Sequence, residues 1–362
     1  MENEDTTIKL QNFIDIKKGE YITRDKENEG IYPVILGGKE PAYYIDRYNH
    51  DGKAIVVSRS GASAGYVSLW NEKIFVTDGF LIEPKNNVSY DYIYYFLKSR
   101  EGVLKLLQGG AAIPHVTPRL LNNLQINLPP LPTQQKIASI LSAYDNLIQN
   151  YKKQIEALQT AASELYKEWF VRFRFPGWQN ANFENGIPEG WKVEKLGTLA
   201  NISTGKCNRE DAEDDGIYPL FDRSQEIKKS NEWIKDCEAI IVPGEGTSFI
   251  PRYYKGKFNL HQRCYCVEPK YPDFGKFLFY VLMINRKYFL SVATGATVPS
   301  LRYNNFASMK FILPKISLCN NFNKIANDIF AKVDNLQQQI TNLTQQRDLL
   351  LPRLMSGKLE VK

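Results

Sequence analysis

Cysteine is scarce in this chain, with five in 362 residues, an odd number and widely scattered. Such a set does not read as a disulfide framework and points to a reducing, cytoplasmic setting. Histidine is scarcer still, at three, which leaves few candidates for general-base chemistry. Long hydrophobic runs are also missing. The most apolar stretch, Phe277 to Ile284, is far too short to span a membrane. The opening Met1-Glu2-Asn3-Glu4-Asp5 is acidic and polar, unlike a signal peptide.

Nucleotide-binding signatures are absent as well. No Gly-x₄-Gly-Lys-Ser/Thr occurs, which argues against a Walker-type ATP site, and no glycine fingerprint follows a strand to cradle a dinucleotide. Asn127-Leu128-Pro129-Pro130 has the look of the Asn-Pro-Pro-aromatic motif of amino-methyltransferases. The inserted leucine and the missing ring spoil it, and it is read as a strand-to-helix stop. Glu226-Ile227-Lys228 is read as a solvated strand edge or loop rather than half of a nuclease motif. In His261-Gln262-Arg263-Cys264-Tyr265-Cys266, a strand would point His261 away from Cys264 and Cys266. A thiol-lined core strand is expected there, with no metal.

What the sequence does contain, it contains twice. Lys9-Leu10 with Ile16 and Gly19 returns as Lys195-Leu196 with Ile202 and Gly205. Gly30-Ile31-Tyr32-Pro33 returns as Gly216-Ile217-Tyr218-Pro219, and Glu83-Pro84-Lys85 as Glu268-Pro269-Lys270. Gly110-Ala111 with Pro114 returns as Gly295-Ala296 with Pro299, and Leu128-Pro129 as Leu313-Pro314. A constant spacing near 185 residues marks one duplicated unit, not a solenoid of short repeats. The copies differ in charge. Residues 1–132 carry a net −1 and residues 191–316 a net +5, within a total of +6. That balance permits nucleic-acid binding without demonstrating it.

Each copy runs into heptads. After Leu128-Pro129-Pro130-Leu131-Pro132 an apolar seam starts at Thr133 and continues through Ile137, Leu141, Tyr144, Ile148, Tyr151, Ile155, Leu158, Ala162, Leu165 and Trp169. A second seam runs through Phe322, Ala326, Ile329, Val333, Leu336, Ile340, Leu343, Arg347, Leu350 and Leu354, with Pro352 expected to kink or end it. Asp145-Asn146-Leu147 is matched with Asp334-Asn335-Leu336. Steps of four and three sustained over several heptads predict that the helices pair with each other.

The heads read as mixed α/β. Ala54–Val57 and Ala239–Val242 are β-branched runs bounded by turn residues, hence strands. Ile74–Ile82, Leu260–Val267, Leu124–Leu128 and Lys310–Leu313 are further strand candidates, while Asp91–Gln108 and Asp273–Leu290 show helical spacing. The expected architecture is therefore mixed α/β domains in duplicate, separated by two long helices in an antiparallel coiled coil, with a pseudo-two-fold circular arrangement. Its segments are 1–132, a helix and linker 133–190, 191–316, and a second helix 317–362.

Candidate contact residues lie in three loops that recur in both heads. The first loop is Ser58–Gly65, with Arg59, Ser60 and Ser63, matched by Pro243–Ser248, with Thr247 and Ser248. Glycine lets a backbone come close, and Ser, Thr and Arg bond to phosphates or base edges. The second interleaves aromatic and basic residues around Arg47, matched by Arg252 and Tyr254. The third is Pro114–Arg119, with His115 and Arg119, matched by Pro299–Asn305, with Ser300 and Arg302. Arg59, Arg252 and Arg302 are expected near DNA.

With these residues in view, the chain resembles the specificity subunits of type I restriction–modification enzymes. The likeness is carried by Leu128-Pro129-Pro130-Leu131-Pro132-Thr133-Gln134-Gln135-Lys136-Ile137-Ala138 with Leu141 and Asp145, by Ile187-Pro188-Glu189-Gly190-Trp191, and by Leu354-Met355-Ser356-Gly357-Lys358-Leu359. The resemblance implies a non-catalytic chain whose heads read the two halves of a split sequence in double-stranded DNA. It implies helices that dock two modification subunits carrying S-adenosylmethionine, and restriction subunits using ATP and Mg. No cofactor and no membrane is implied for the chain itself. About 39 residues from Thr133 to Val171 would give a spacer of roughly 58 Å at 1.5 Å per residue. Two alternatives stay open at this point: an enzyme with a diverged active site, which would bind a methyl donor alone, and a protein-binding scaffold, which would show no salt-dependent DNA binding.

Overall fold

A computed structural model describes residues 8–23, 28–38, 40–106, 115–271 and 274–361. The chain divides into two units, residues 1–152 with 338–362, and residues 153–337. Each unit therefore contains one head, one part of the first long helix (Leu131–Phe170) and one part of the second (Ile316–Met355).

In the first unit a four-stranded antiparallel sheet has the order 14–18, 79–84, 53–58, 67–71. Alternation along Lys53–Ser58 sends Ile55 and Val57 into a core with Tyr92, Phe96 and Leu141. Ala54 and Val56 go to a second cluster with Ile35, Ile74 and Val76. Both sheet faces are thus covered, which is why this strand is apolar throughout. A smaller sheet contains a parallel pairing of Val34–Ile35 with Phe75–Val76.

The expected strand Ile74–Ile82 is interrupted, because Phe75–Val76 serves that smaller sheet and Gly79–Pro84 the larger one. The chain changes sheets at Thr77-Asp78. The expected helix from Asp91 is also two, Tyr90–Ser99 and Glu101–Leu106, broken at Arg100; Gln108 lies outside the described residues. Leu124–Leu128 shortens to Gln125–Ile126, since its partner is only Ile8–Lys9 and prolines follow.

The second unit repeats this plan with the sheets merged into six strands, in the order 200–204, 264–269, 235–243, 252–260, 218–221, 228–230. The parallel pairing returns as Leu220–Phe221 with Asn259–Leu260. Ile240, Val242 and Val267 face a core with Phe277 and Phe322, whereas Ala239, Ile241, Cys264 and Cys266 face the other way. Leu260–Val267 is not one strand. Residues His261–Arg263 turn, and the Cys264 amide donates to the His261 carbonyl at 2.9 Å. Asp273–Leu290 is broken at Asn285, whose side chain donates to the Val281 carbonyl; Asp273 lies outside the described residues.

The long helices have 40 residues each and begin 185 residues apart. The seam residues are buried or half-buried along both, including Ile155, Leu158, Leu165, Ile329, Ile340, Leu343 and Leu350. In the first unit the start of helix one (Ile137, Leu141) packs with the end of helix two (Leu351, Leu354, Met355). In the second, the end of helix one (Ala162, Tyr166, Phe170) packs with the start of helix two (Phe322, Ala326). Within each unit the helices therefore run in opposite directions. Helix two passes through Pro352 and ends three residues later at Met355, so the proline stands at the start of the last turn and is not itself the stop. The match of Asp145-Asn146-Leu147 with Asp334-Asn335-Leu336 is one turn out of register. At the 185-residue offset Leu147, which is exposed, has no equivalence to the buried Leu336.

A carboxamide ties each head to a long helix. Buried Gln134 donates to the Pro129 carbonyl and accepts from the Ser89 amide at the start of Tyr90–Ser99. Buried Asn323 accepts from the Phe277 amide in the first turn of Gly275–Ile284. Both satisfy donors that a helix start leaves unpaired.

Candidate nucleic-acid interface

Two of the three loop pairs are joined by the backbone, identically in each head. In the first, the Val116 amide donates to the Arg59 carbonyl at 2.8 Å, and Ser60 bridges to His115. In the second, the Leu301 amide donates to the Gly244 carbonyl at 2.8 Å, and Glu245 bridges to Ser300. Every one of these residues has its counterpart 185 positions on. The glycine loop turns through Gly61 (φ 76°) in one head and Gly246 (φ 124°) in the other, conformations that a side chain would strain. Pro114 lies outside the described residues.

On this shared frame the side chains differ. In the first head Asp78 lies 2.7 Å from Arg59 Nε and accepts the Ser60 hydroxyl. His115 and Arg119 are exposed, and a cleft lined by Lys18, Arg59, His115 and Thr117 opens at the junction. Ser63 is half-buried in the glycine loop. In the second head the position of Asp78 holds Arg263 and that of Ser60 holds Glu245, so the ion pair is reversed. Glu245 accepts from Arg263 at 2.5 Å and from Arg223 at 2.7 Å. Thr247 is exposed, Ser248 and Ser300 are half-buried, and the Ser248 carbonyl accepts from Arg286. Arg302 is exposed and starts the short helix Tyr303–Ala307, with Asn305 Oδ1 accepting from its amide.

The second loop pair is placed differently from the other two. The Arg47 guanidinium covers the Phe75 ring at 4.9 Å. Arg252 turns inward, donating to the Ser224 and Asp222 carbonyls at 2.8 and 2.6 Å and covering Phe221. Burial lowers its pKa, and its Nε has no hydrogen-bond partner among the described residues. Tyr254 packs edge-on against Phe221 and Phe258. The structure thus gathers Arg59, Ser60 and His115, and separately Ser300 with Glu245, whereas Arg119 lies on the short helix Pro118–Asn122 and Arg47, Arg252 and Tyr254 hold the smaller strands in place.

Asp222 anchors the loop that Arg252 reaches. Burial alone would raise its carboxyl, but the Ser224 hydroxyl and amide and the Lys228 ammonium outweigh that and hold it at about 2. His261 is buried, with Nδ1 accepting from the Arg263 amide, and desolvation lowers its pKa. It belongs to the turn that presents Arg263, not to a strand face. Sequence reasoning missed Asp78, Glu245, Arg223 and Arg263. The signal was available, since an offset of 185 puts Arg263 opposite Asp78 and Glu245 opposite Ser60.

The family described as type I restriction modification DNA specificity domain matches residues 3–160 and again 188–349. The chain is similar to the MjaIX specificity subunit of Methanocaldococcus jannaschii, with 28% identity over 350 residues covering 86% of this chain and 78% of that one. It is also similar to the MjaVIII specificity subunit of the same organism, with 28% identity covering 98% and 93%. Among solved structures, a type I restriction–modification S subunit from M. genitalium covers 97% of this chain and 96% of its own, with a TM-score of 0.63 and 21% identity. That last likeness establishes the fold.

Proposed function

The chain belongs to the type I restriction–modification DNA specificity family, and from that premise we propose that its first and second heads read the two halves of one split DNA sequence. It is a non-catalytic specificity subunit and needs no cofactor of its own. The supporting observation is the pair of backbone junctions, the same in both heads, that carry different side chains: Arg59, Ser60 and His115 against Gly244, Glu245 and Ser300. A constant frame with changed side chains is what two readers of different half-sites need.

In this reading the recognition domains are residues 1–132 and 191–316. Arg59, Ser60, Ser63, His115 and Arg119 face one half-site, and Thr247, Ser248, Ser300 and Arg302 the other. The helices set the distance between half-sites. Two modification subunits carrying S-adenosylmethionine dock along them, and restriction subunits using ATP and Mg complete the assembly in the cytoplasm. No described helix is long and apolar enough to cross a membrane.

Exchanging residues 191–316 for the corresponding head of a relative tests this. Mapping of modified bases in a host genome is expected to show one half of the sequence changed and the other kept. A change in both halves would refute independent reading.

A further inference from the structure

The reversed ion pair leaves the second head with more unspent donors than the first. Glu245 is the inner member of its cluster, with its side chain only 14% exposed, while Arg263 and Arg223 are 53% and 49% exposed. Each guanidinium spends one nitrogen, Nη1, on that carboxylate, and among the described residues neither side chain has another partner. A guanidinium has five N–H donors in a planar fork, so most of each fork points away from Glu245. The cluster carries two positive charges against one negative. The first head has one arginine, Arg59, against Asp78, with no net charge, and in this stretch, which repeats at 186 residues as Gly30 and Gly216 do, the position of Arg223 falls at Gly37.

Two further facts bear on recognition. Glu245 sits in the backbone junction, bridged to Ser300 and followed by Gly246, whose amide donates to the Pro299 carbonyl at 3.0 Å. Arg263 is set by a turn closed on itself, with its amide held by His261 and its carbonyl accepting from Gly244 at 2.8 Å. Arg263 is therefore fixed at the base as well as at the tip, so less side-chain freedom is lost when it binds. Planar forks held side by side fit the paired O6 and N7 acceptors of guanine in the major groove.

We propose that Arg223 and Arg263 are base-reading residues of the second head, that Glu245 is the positioning residue aiming both, and that the half-site read by this head contains guanine. This rests on the reading of the heads as DNA-sequence readers. The first head, with its neutral Arg59–Asp78–Ser60 cluster, has no equivalent double fork.

The test maps modified sites in a host genome for the wild-type chain and for Arg223→Ala, Arg263→Ala, Arg263→Lys and Glu245→Gln. It also measures binding of the assembled complex to a duplex carrying the mapped site over a range of salt. Each alanine variant is expected to relax one guanine position in one half-site and weaken specific binding about ten-fold or more. The other half-site stays unchanged, which also shows that the chain is folded and assembled. Arg263→Lys keeps the charge but not the fork and is expected to relax the same position. Glu245→Gln is expected to reduce discrimination while leaving the salt dependence unchanged, because no phosphate contact is lost. An unchanged pattern and affinity in both alanine variants overturns the inference alone. So does a uniform loss over all sequences that lysine restores, which would mark a phosphate contact. A wild-type chain directing no split sequence sinks the functional reading and this inference together.

Discussion

The two units solve the same packing problem with different chemistry. At the 185-residue offset, Tyr95 corresponds to Tyr280, Asp145 to Phe330 and Arg347 to Ala162. In the first unit these positions form a polar chain, with Asp145 accepting from the Tyr95 hydroxyl at 2.7 Å and from Arg347 at 2.5 Å. In the second, Phe330 and Ala162 replace the charged pair, and Phe330 lies edge-on to Tyr280 and Tyr253. The neighbouring positions follow suit, with Leu351, Leu354 and Met355 against Tyr166, Trp169 and Phe170. One backbone arrangement thus accepts a half-buried ion pair with aliphatic packing or a cluster of rings. The first is directional and fixes which side chains meet, whereas the second gains more from area removed from water.

The comparison breaks most visibly at the ring cluster. Phe322 is fully buried, with ring centroids of Tyr166, Trp169, Phe170 and Tyr280 between 5.3 and 6.2 Å away. Phe322→Ala is expected to destabilise the second unit by about 3–5 kcal/mol. The equivalent Ile137→Ala in the first unit should cost less, toward the lower end of about 2–5 kcal/mol. Denaturation followed by tryptophan fluorescence reports mainly the second unit, which holds Trp169, Trp178, Trp191 and Trp233 against Trp70 in the first. Equal losses at the two positions would remove the distinction drawn between aromatic and aliphatic packing.

A smaller effect sharpens the polar half of the comparison. Arg347→Ala leaves the Asp145 carboxylate half-buried with only the Tyr95 hydroxyl. The expected loss is about 2–3 kcal/mol, below the value for a fully buried pair, because the side chains stay 22–27% exposed. Combining Arg347→Ala with Asp145→Phe transplants the second unit's pair into the first and removes the stranded charge. The double variant should lose less than Arg347→Ala alone. If it loses as much as the two single changes together, the positions are not interchangeable and the equivalence fails.

Much of this was legible in the sequence. Continuous β-branched runs located the Lys53–Ser58 and Lys235–Pro243 strands and heptad spacing both long helices, because burial on both sheet faces or along one helical seam selects those patterns. The breaks at Thr77-Asp78, Arg100 and Asn285 were not legible. They depend on where the chain changes sheet or a side chain takes a backbone carbonyl, and such partners are distant or local in ways that apolar spacing does not encode. Arg252 shows the same limit at the site. Interleaved tyrosines and basic residues read as a binding surface, yet its guanidinium serves two carbonyls of its own unit. Exposure of a charge cannot be read from residue type.

The smallest expected effect concerns the Asp222 loop, which the first head lacks. The repeat places exposed Leu36 where Asp222 stands. In the second head Asp222 receives the Ser224 hydroxyl and amide and the Lys228 ammonium, which hold its carboxyl at about 2, below the ordinary 3.8. A folded-state value below the unfolded one means the charged form is the one that stabilises. That contribution is complete above about pH 4 and is lost as the pH falls through about 2. With partial solvent screening it amounts to about 1 kcal/mol. The melting temperature of wild type should therefore exceed that of Asp222→Asn by roughly 2–4 °C near neutral pH. The gap should close between about pH 4 and pH 2, while the matching change Leu36→Asn gives no pH-dependent difference. A gap that persists undiminished at the acid end would mean that the Asp222 charge is not what holds the loop.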